Sequence, residues 1–440
     1  MKKLLLSCSF VALFSHSAFG VKEFYSLSKS IRSMGMGGAF FGLSDDEYAL
    51  FSNPAGLSLR KSGTEVMLRM NGHVSGDAIS SFNKFKDIGG ASLQTKIEAL
   101  DETKGKPLYA NAGLLPYFVT KNLGVGLLIA DTKLNFNISK GKAEVEQAII
   151  DSALPGGGGT AALQALEIAD MTFISDSGLV IGYAQSFADP GLHIGANLKG
   201  LFRAGGRKGF TAAEYQGNSK IDIDPKQIGG YGIGIDLDLG ATYEMYMLPF
   251  GVVSRASVVL SNLLATEYSM GATGRAPRQV RTANLGWATV FNGYSFVDNF
   301  NVLLDISNIP LGGESNPDLG ARNTGSFLKK VNFGVEAPIG RLALRAGLNQ
   351  GHITAGFGVN LYAARIDFAT YAEETGDATS QGSRRYALSA AIGWGSAPPA
   401  PIASPSREKV MPEATQKSEV PGAQKAPSPS QAPAANPVKN

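Results

Sequence analysis

From Thr64 to Trp394 apolar and polar residues alternate along the chain with a period of two. In one stretch Leu192, Ile194, Ala196, Leu198 and Phe202 fall on one face, against His193, Asn197, Lys199 and Arg203. In another, Tyr231, Ile233, Ile235, Leu237 and Leu239 oppose Gly232, Gly234, Asp236 and Asp238. Leu342, Leu344, Ala346 and Leu348 oppose Arg341, Ala343 and Arg345, and Arg365, Asp367 and Tyr371 share a face further on. Alternation sustained this long specifies strands. It predicts fourteen of them, at 64–74, 107–118, 121–137, 170–187, 190–204, 229–247, 250–262, 279–291, 297–308, 326–337, 340–349, 352–361, 363–373 and 384–395.

These strands are longer than the common length of about five or six residues, and their polar faces carry charges in mid-strand. A soluble sandwich hides its apolar face. A transmembrane barrel turns that face to lipid and its polar face to a lumen. The connections agree. Short turns at 121–122, 188–191, 248–249, 292–296, 338–340 and 361–362 alternate with long loops at 75–106, 138–169, 205–228, 263–278, 309–325 and 374–383. The tight turn Asn349-Gln350-Gly351, on the long-loop side, breaks the rule. The expected fold is therefore an all-β, antiparallel transmembrane β-barrel of about fourteen strands, with short turns and both termini in the periplasm.

Composition sharpens this picture. Glycine accounts for 54 of 440 residues and charged residues for 18%, which suits a chain of many strands and excludes a charge-rich disordered chain. The net charge of +3 is unclustered and predicts no nucleic-acid partner. Residues 1–20 read as a signal peptide: Lys2 and Lys3, an apolar run from Leu4 to Phe14, then Ala18-Phe19-Gly20 at a cleavage site. The single cysteine, Cys8, lies inside it, so disulfides and thiolate metal sites are not expected in the mature chain. Residues 396–440, rich in Pro, Ala and Ser, read as a disordered periplasmic tail, a candidate arm for peptidoglycan or a periplasmic protein. Lys142–Asp151 and Thr160–Met171 have helical composition. Ala161, Leu163, Leu166, Ile168 and Met171 there form either a packed loop or an apolar groove at the barrel mouth.

Residues 21–61 do not alternate. They hold Ser33-Met34-Gly35-Met36-Gly37-Gly38-Ala39-Phe40, then Asp45-Asp46-Glu47-Tyr48-Ala49, then Phe51-Ser52-Asn53-Pro54-Ala55-Gly56-Leu57. Over Met34–Leu57 this resembles the segment that precedes the first strand in the FadL-like outer-membrane transporters and their PorV-like relatives. The resemblance implies a fourteen-stranded barrel (62–395) plugged by an N-terminal hatch (21–61). In FadL-type members hydrophobic ligands, long-chain fatty acids among them, pass the hatch and leave sideways into the membrane. PorV-type members instead partner in secretion. The hatch and ligand-path candidates are Gly35, Gly37, Gly38, Asn53, Pro54, Ala55 and Gly56.

Asp45, Asp46 and Glu47 are candidates to pair with inward arginines such as Arg345 or Arg365. Asp236, Asp238, Arg341, Arg345, Arg365 and Asp367 form a candidate lumen charge network, whose mixed signs suit internal ion pairs better than a selective pore. His73, His193 and His352 stand apart without metal-ligand spacing, Gly156–Thr160 lacks a P-loop lysine, and no Gly-x-Ser-x-Gly elbow occurs. The expectation is no enzyme, no metal and no cofactor. The expected partners are membrane lipid and a small hydrophobic ligand. A surface adhesin using the long loops is a third, weaker alternative.

Overall fold

The computed structural model describes residues 26–60, 63–76, 106–138, 140–153, 166–187, 191–217, 229–247, 251–269, 275–294, 297–311, 327–361, 363–374 and 382–395, with a few positions between 95 and 104 and residues 163–164. The signal-peptide and tail expectations lie outside them.

Fourteen strands close into one antiparallel barrel, each paired with its sequence neighbours and the last with the first. They are β1 Glu65–Ser75, β2 Leu108–Val119, β3 Leu123–Ile138, β4 Glu167–Phe187, β5 Leu192–Thr211, β6 Gly230–Met247, β7 Val252–Ser261, β8 Thr282–Tyr294, β9 Val297–Pro310, β10 Val331–Ile339, β11 Leu342–Asn349, β12 His352–Leu361, β13 Ala364–Glu374 and β14 Gly382–Gly395. Closure joins β1 to β14 in register from Glu65 opposite Gly395 to Ser75 opposite Arg385. The wall is uneven in height: β4 has 21 residues and β5 has 20, whereas β11 has 8.

The faces sort as lipid and lumen require. On β1, Val66, Leu68, Met70 and Val74 point outward, and Glu65, Met67, Arg69 and His73 point inward and are buried. On β5 and β6, Ile194, Leu198, Ile233 and Ile235 are exposed, while Asn197, Lys199, Asp236 and Asp238 are buried. No described helix is long and apolar enough to cross a membrane; the strands make the crossing. Trp394, 82% exposed, ends the outer face of β14 on the short-turn side, at the level where aromatic girdles meet headgroups.

Residues 26–60 fill the lumen. Helix α1, Ile31–Gly35, starts at the Ser30 hydroxyl, which accepts from the Ser33 amide. A 3₁₀ turn, Glu47–Leu50, starts at Asp46, whose Oδ1 accepts from the Tyr48 amide at 2.8 Å. Helix α2 is Gly56–Leu59. Leu50 and Leu57 pack with Leu115, Val180 and Leu201 of the wall, and Met36, Phe40 and Leu43 with Ala288, Val290 and Leu303.

At the long-loop end, helix α3 (Lys142–Ala153) occupies the expected helical segment. The second expected helix is corrected: residues 163–164 are helical, but Ile168 and Met171 belong to β4. Extending β4 lets these side chains join Val145, Leu163, Phe136 and Phe210 in a packed cap rather than line an open groove. Ala161 lies outside the described residues.

Candidate functional site

The hatch is held by backbone-to-backbone contact with lumen-facing glycines. A Cβ on Gly334 of β10 would run into the carbonyl of Met36, and one on Gly347 of β11 would lie 2.6 Å from the Gly37 nitrogen. Gly37 itself has φ +68, open to glycine and strained for other residues. Gly286 of β8 meets Gly42, and Gly195 of β5 lies under the Pro54–Ala55 peptide, where a Cβ would come within 2.6 Å of the Ala55 nitrogen. Gly35 seats against Gly356 and the Arg345 stem, and Gly38 near Asn349. Gly56 meets Ser44 within the hatch, where a Cβ would lie 2.7 Å from the Ser44 Cβ.

Asn53 joins the two parts. Its Nδ2 donates to the Phe41 carbonyl at 2.8 Å and to Thr242 Oγ1 of β6 at 2.9 Å, and its Oδ1 accepts from the Ala55 amide at 3.1 Å. The Asx turn ending in Pro54 is thereby also an anchor to the wall. Asp305 of β9 adds a second anchor, accepting from the Phe40 and Phe41 amides.

Below these anchors runs a chain of ion pairs. Arg32 meets Asp45 at 2.6 Å, Asp46 at 3.0 Å and Glu336 at 2.7 Å. Glu336 meets Arg345 at 2.9 Å, and Arg345 meets Asp367 at 2.8 Å. Asp367 reaches Arg69 at 3.4 Å; Arg69 pairs with Glu47; Glu47 pairs with Arg365 at 3.1 Å. Arg365 then reaches Glu65, which meets Arg60 at 3.3 Å. The sequence pairing of Glu47 with Arg365 is present. Asp45 and Asp46 turn instead to Arg32, a hatch residue that the strand pattern gave no reason to single out. Arg345 meets wall carboxylates.

The six-residue lumen network divides. Arg345, Arg365 and Asp367 belong to this chain of pairs, and Arg341 lines the same cavity. Asp236 and Asp238 lie outside that chain, in a separate inward-facing cluster. Asp238 pairs with Lys199 at 2.7 Å and accepts from the Asn262 amide; Asp236 accepts from the Leu264 amide. These bonds fold the connection after β7 into the barrel. There Tyr268 stacks against Arg203, 4.7 Å from ring centre to guanidinium, and the Pro277 carbonyl accepts from Arg203. A segment that reads as an external loop is thus a second inward element, packed in the same cluster as Leu50 and Leu57.

Burial, and then the charge of Glu47, push the Asp46 carboxyl up to about 6 against the pull of Arg32. Burial alone would also raise Glu47, but Arg69 and Arg365 reverse this and hold it below the usual range. From about pH 5, above the range in which Glu47 acts in the opposite sense, to pH 6 the docked hatch binds more proton at Asp46 than an undocked one, so docking weakens as pH rises through that window. Asp46→Asn should abolish this dependence and leave the amides of Tyr48–Leu50 better protected from hydrogen exchange at pH 7 than in the wild type. A wild-type hatch that gains protection between pH 5 and pH 7 would contradict the assignment.

Two cavities meet at the hatch. One, of about 170 Å³, opens among the ion pairs toward the short-turn side, bounded by Arg60, Glu65, Arg341 and Asn360. The other, of about 140 Å³, lies toward the long-loop side between Met34, Phe40, Phe41 and Phe51 of the hatch and Asn332 and Gln350 of the wall. Ser30 and Tyr48 line both, so the hatch is the partition between them. Its first described residues are tied to the wall by Lys133, whose Nζ donates to the Ser26 and Leu27 carbonyls. Lys133 follows a bulge at Leu128–Asp131, where β3 slips register against β4 and Ala130 has φ +46; β2 slips against β3 beside it, between Ala112 and Leu114.

His193 bridges hatch and wall. Its Nδ1 lies 2.8 Å from Ser58 Oγ and its Nε2 3.4 Å from Glu244. Ser58 is buried, donates to the Ala55 carbonyl and lines neither cavity described here. The trio is arranged as a latch on α2.

No family model and no curated protein matches the chain. Solved structures do match in architecture: the CymD monoaromatic hydrocarbon channel (12% identity, 84% of this chain, 99% of that chain, TM-score 0.44), the Ralstonia pickettii toluene transporter TbuX (13%, 84%, 99%, 0.43) and the P. putida toluene transporter TodX (13%, 85%, 99%, 0.41). The likeness is one of fold.

Proposed function

We propose that the chain is an outer-membrane barrel for passive passage of small hydrophobic molecules, with residues 21–61 as its gate. The observation that carries this reading is the partition: two cavities share Ser30 and Tyr48 and are divided by the hatch. The long-loop cavity sets Met34, Phe40, Phe41 and Phe51 among serines of the hatch, whereas the short-turn cavity is bounded by charges that a hydrocarbon would have to strip of water. A ligand that passes the hatch leaves more readily through the wall than along the axis. The doubly interrupted ladder at the β3 bulge, where Lys133 holds the start of the hatch, supports that exit.

A lock on the hatch tests this. Ser58→Cys with His193→Cys replaces side chains in hydrogen-bond contact, in a chain whose only native cysteine is Cys8. Oxidation should reduce uptake of a hydrophobic substrate by at least about tenfold, and reductant should restore it. The second reading is a PorV-like secretion partner, with 396–440 as its docking arm. The unbroken ion-pair chain and complete strand closure favour it. Uptake indifferent to the lock, with a co-purifying envelope protein lost on truncation after Gly395, would decide for the partner.

A further inference from the structure

Resting on the transport reading, we propose that the connection after β7 is a second gate, stacked on the hatch, which must lift before α2 can. Its described residues are 262–269 and 275–281. The inward face of β5 gives the order. From the short-turn end upward, His193 meets Ser58, Gly195 lies under the Pro54–Ala55 peptide, and Asn197 Nδ2 donates to the Ala49 carbonyl. Further up, inward side chains hold the connection instead: Lys199 Nζ donates to Asn262 Oδ1 at 2.6 Å, and Arg203 Nη1 to the Pro277 carbonyl at 2.8 Å. β6 has the same order. Thr242 and Gly240 meet Asn53, whereas Asp238 and Asp236 accept from the Asn262 and Leu264 amides, and Gly234 lies against Tyr268. One pair of strands therefore carries both elements, the hatch toward the short turns and the connection toward the long loops.

The two elements share a core. Tyr268 and Ala276 join Leu27, Ala49, Leu50 and Leu57 in one buried apolar cluster. On the short-turn side α2 is tethered, since only residues 60–64 separate it from β1. On the long-loop side the connection stands over it, so α2 lifts only if the connection yields. The connection is built to yield. It belongs to no barrel strand, and residues 230–238 of β6, which pair with β5, have no β7 partner on their other edge. The connection meets that edge through the Leu263 amide, 3.0 Å from the Leu237 carbonyl, and through the Thr266 hydroxyl on the Ile235 carbonyl. Asn262 (φ +59) and Ala265 (φ +47) turn the chain inward in the left-handed region, where a non-glycine residue is held only by its surroundings. Arg203 supplies part of that hold, gripping Asp176 of β4 with two nitrogens and Pro277 with the third.

A reversible fastener tests this. Asp238→Cys and Asn262→Cys replace side chains whose Oδ1 atoms both end on Lys199 Nζ, at 2.7 and 2.6 Å; Lys199→Met in the same protein removes the cation they served. In the full chain in nanodiscs, oxidation should slow hydrogen exchange at the Gly56, Leu57 and Ser58 amides by about tenfold, with Met36 and Gly38 changed by less than about twofold. Equal exchange at α2 in both redox states would overturn the proposal, and so would a uniform slowing of the whole chain. The wild type gives a reading without any variant: its α2 amides should be at least as protected as those of Leu263 and Leu264. Amides of α2 that exchange about tenfold faster than those two would overturn the order of opening. Uptake of radiolabelled toluene by cells carrying the fastened protein should fall at least about tenfold on oxidation and return with reductant. Uptake that this fastener leaves unchanged, where the Ser58–His193 lock blocks it, would sink this inference alone. Uptake indifferent to both, with exchange at α2 still answering to this one, would sink the transport reading and leave the stacked pair standing.

Discussion

Gly334→Val should turn a nearly silent barrel into a conducting one in planar bilayers. Gly334 points inward, and a β-branched side chain there must displace the Met36 backbone, which has no rotamer with which to yield. Strand pairing of β10 with β9 and β11 runs through the backbone and is untouched by a larger side chain. The barrel therefore closes and the hatch fails to seat. The control is Gly72→Val on β1, where a Cβ meets nothing within 4 Å; it should fold and stay silent. Both proteins should show the heat-dependent gel shift of a folded barrel. A folded Gly334→Val protein as silent as the control would mean that the glycine contacts do not seat the hatch.

Glu47→Gln should carry the largest cost in stability. Glu47 is fully buried between Arg69 and Arg365. Removing its charge leaves two guanidinium groups facing one another with a single wall carboxylate near each, Asp367 and Glu65. Breaking a buried pair in this way costs about 3–5 kcal/mol, readable as a lower urea midpoint. Adding Arg69→Met should recover part of the loss, because the uncompensated charge goes with it. A loss below about 1 kcal/mol would show that the ion-pair chain is hydrated and weak.

The barrel was legible because lipid outside and charge inside impose the same alternation on every strand. β14 was expected at 384–395 and spans 382–395; β12 was expected at 352–361 and spans it. The expectation stopped short on β5, which runs on to Thr211. There Phe210 joins the apolar cap and the two faces no longer differ in polarity. The hatch was legible from its motif, but its partners were not. Nothing local marks Gly240 or Gly334 as contact points for Asn53 or Met36, since a wall glycine looks alike whether it faces lipid or hatch. Arg32 stands just ahead of the motif, in a segment without alternation to place it. The inward turn after β7 depends on the Asn262 side chain and on backbone amides given to Asp236 and Asp238, a pattern with no period to detect.

The uneven wall has a consequence for the membrane itself. Eight residues in β11 rise about 27 Å along the strand. At a tilt of about 40° they cover roughly 21 Å of the membrane normal, against an apolar band of about 25 Å. The bilayer beside β11 must thin to meet it, while β4 and β5 stand well clear of the band on the opposite side. Acyl chains pinched against the low side are shortened and splayed. The barrel thus carries a permanent local defect in lipid order on one flank, fixing which way it leans and which neighbours share that compressed lipid.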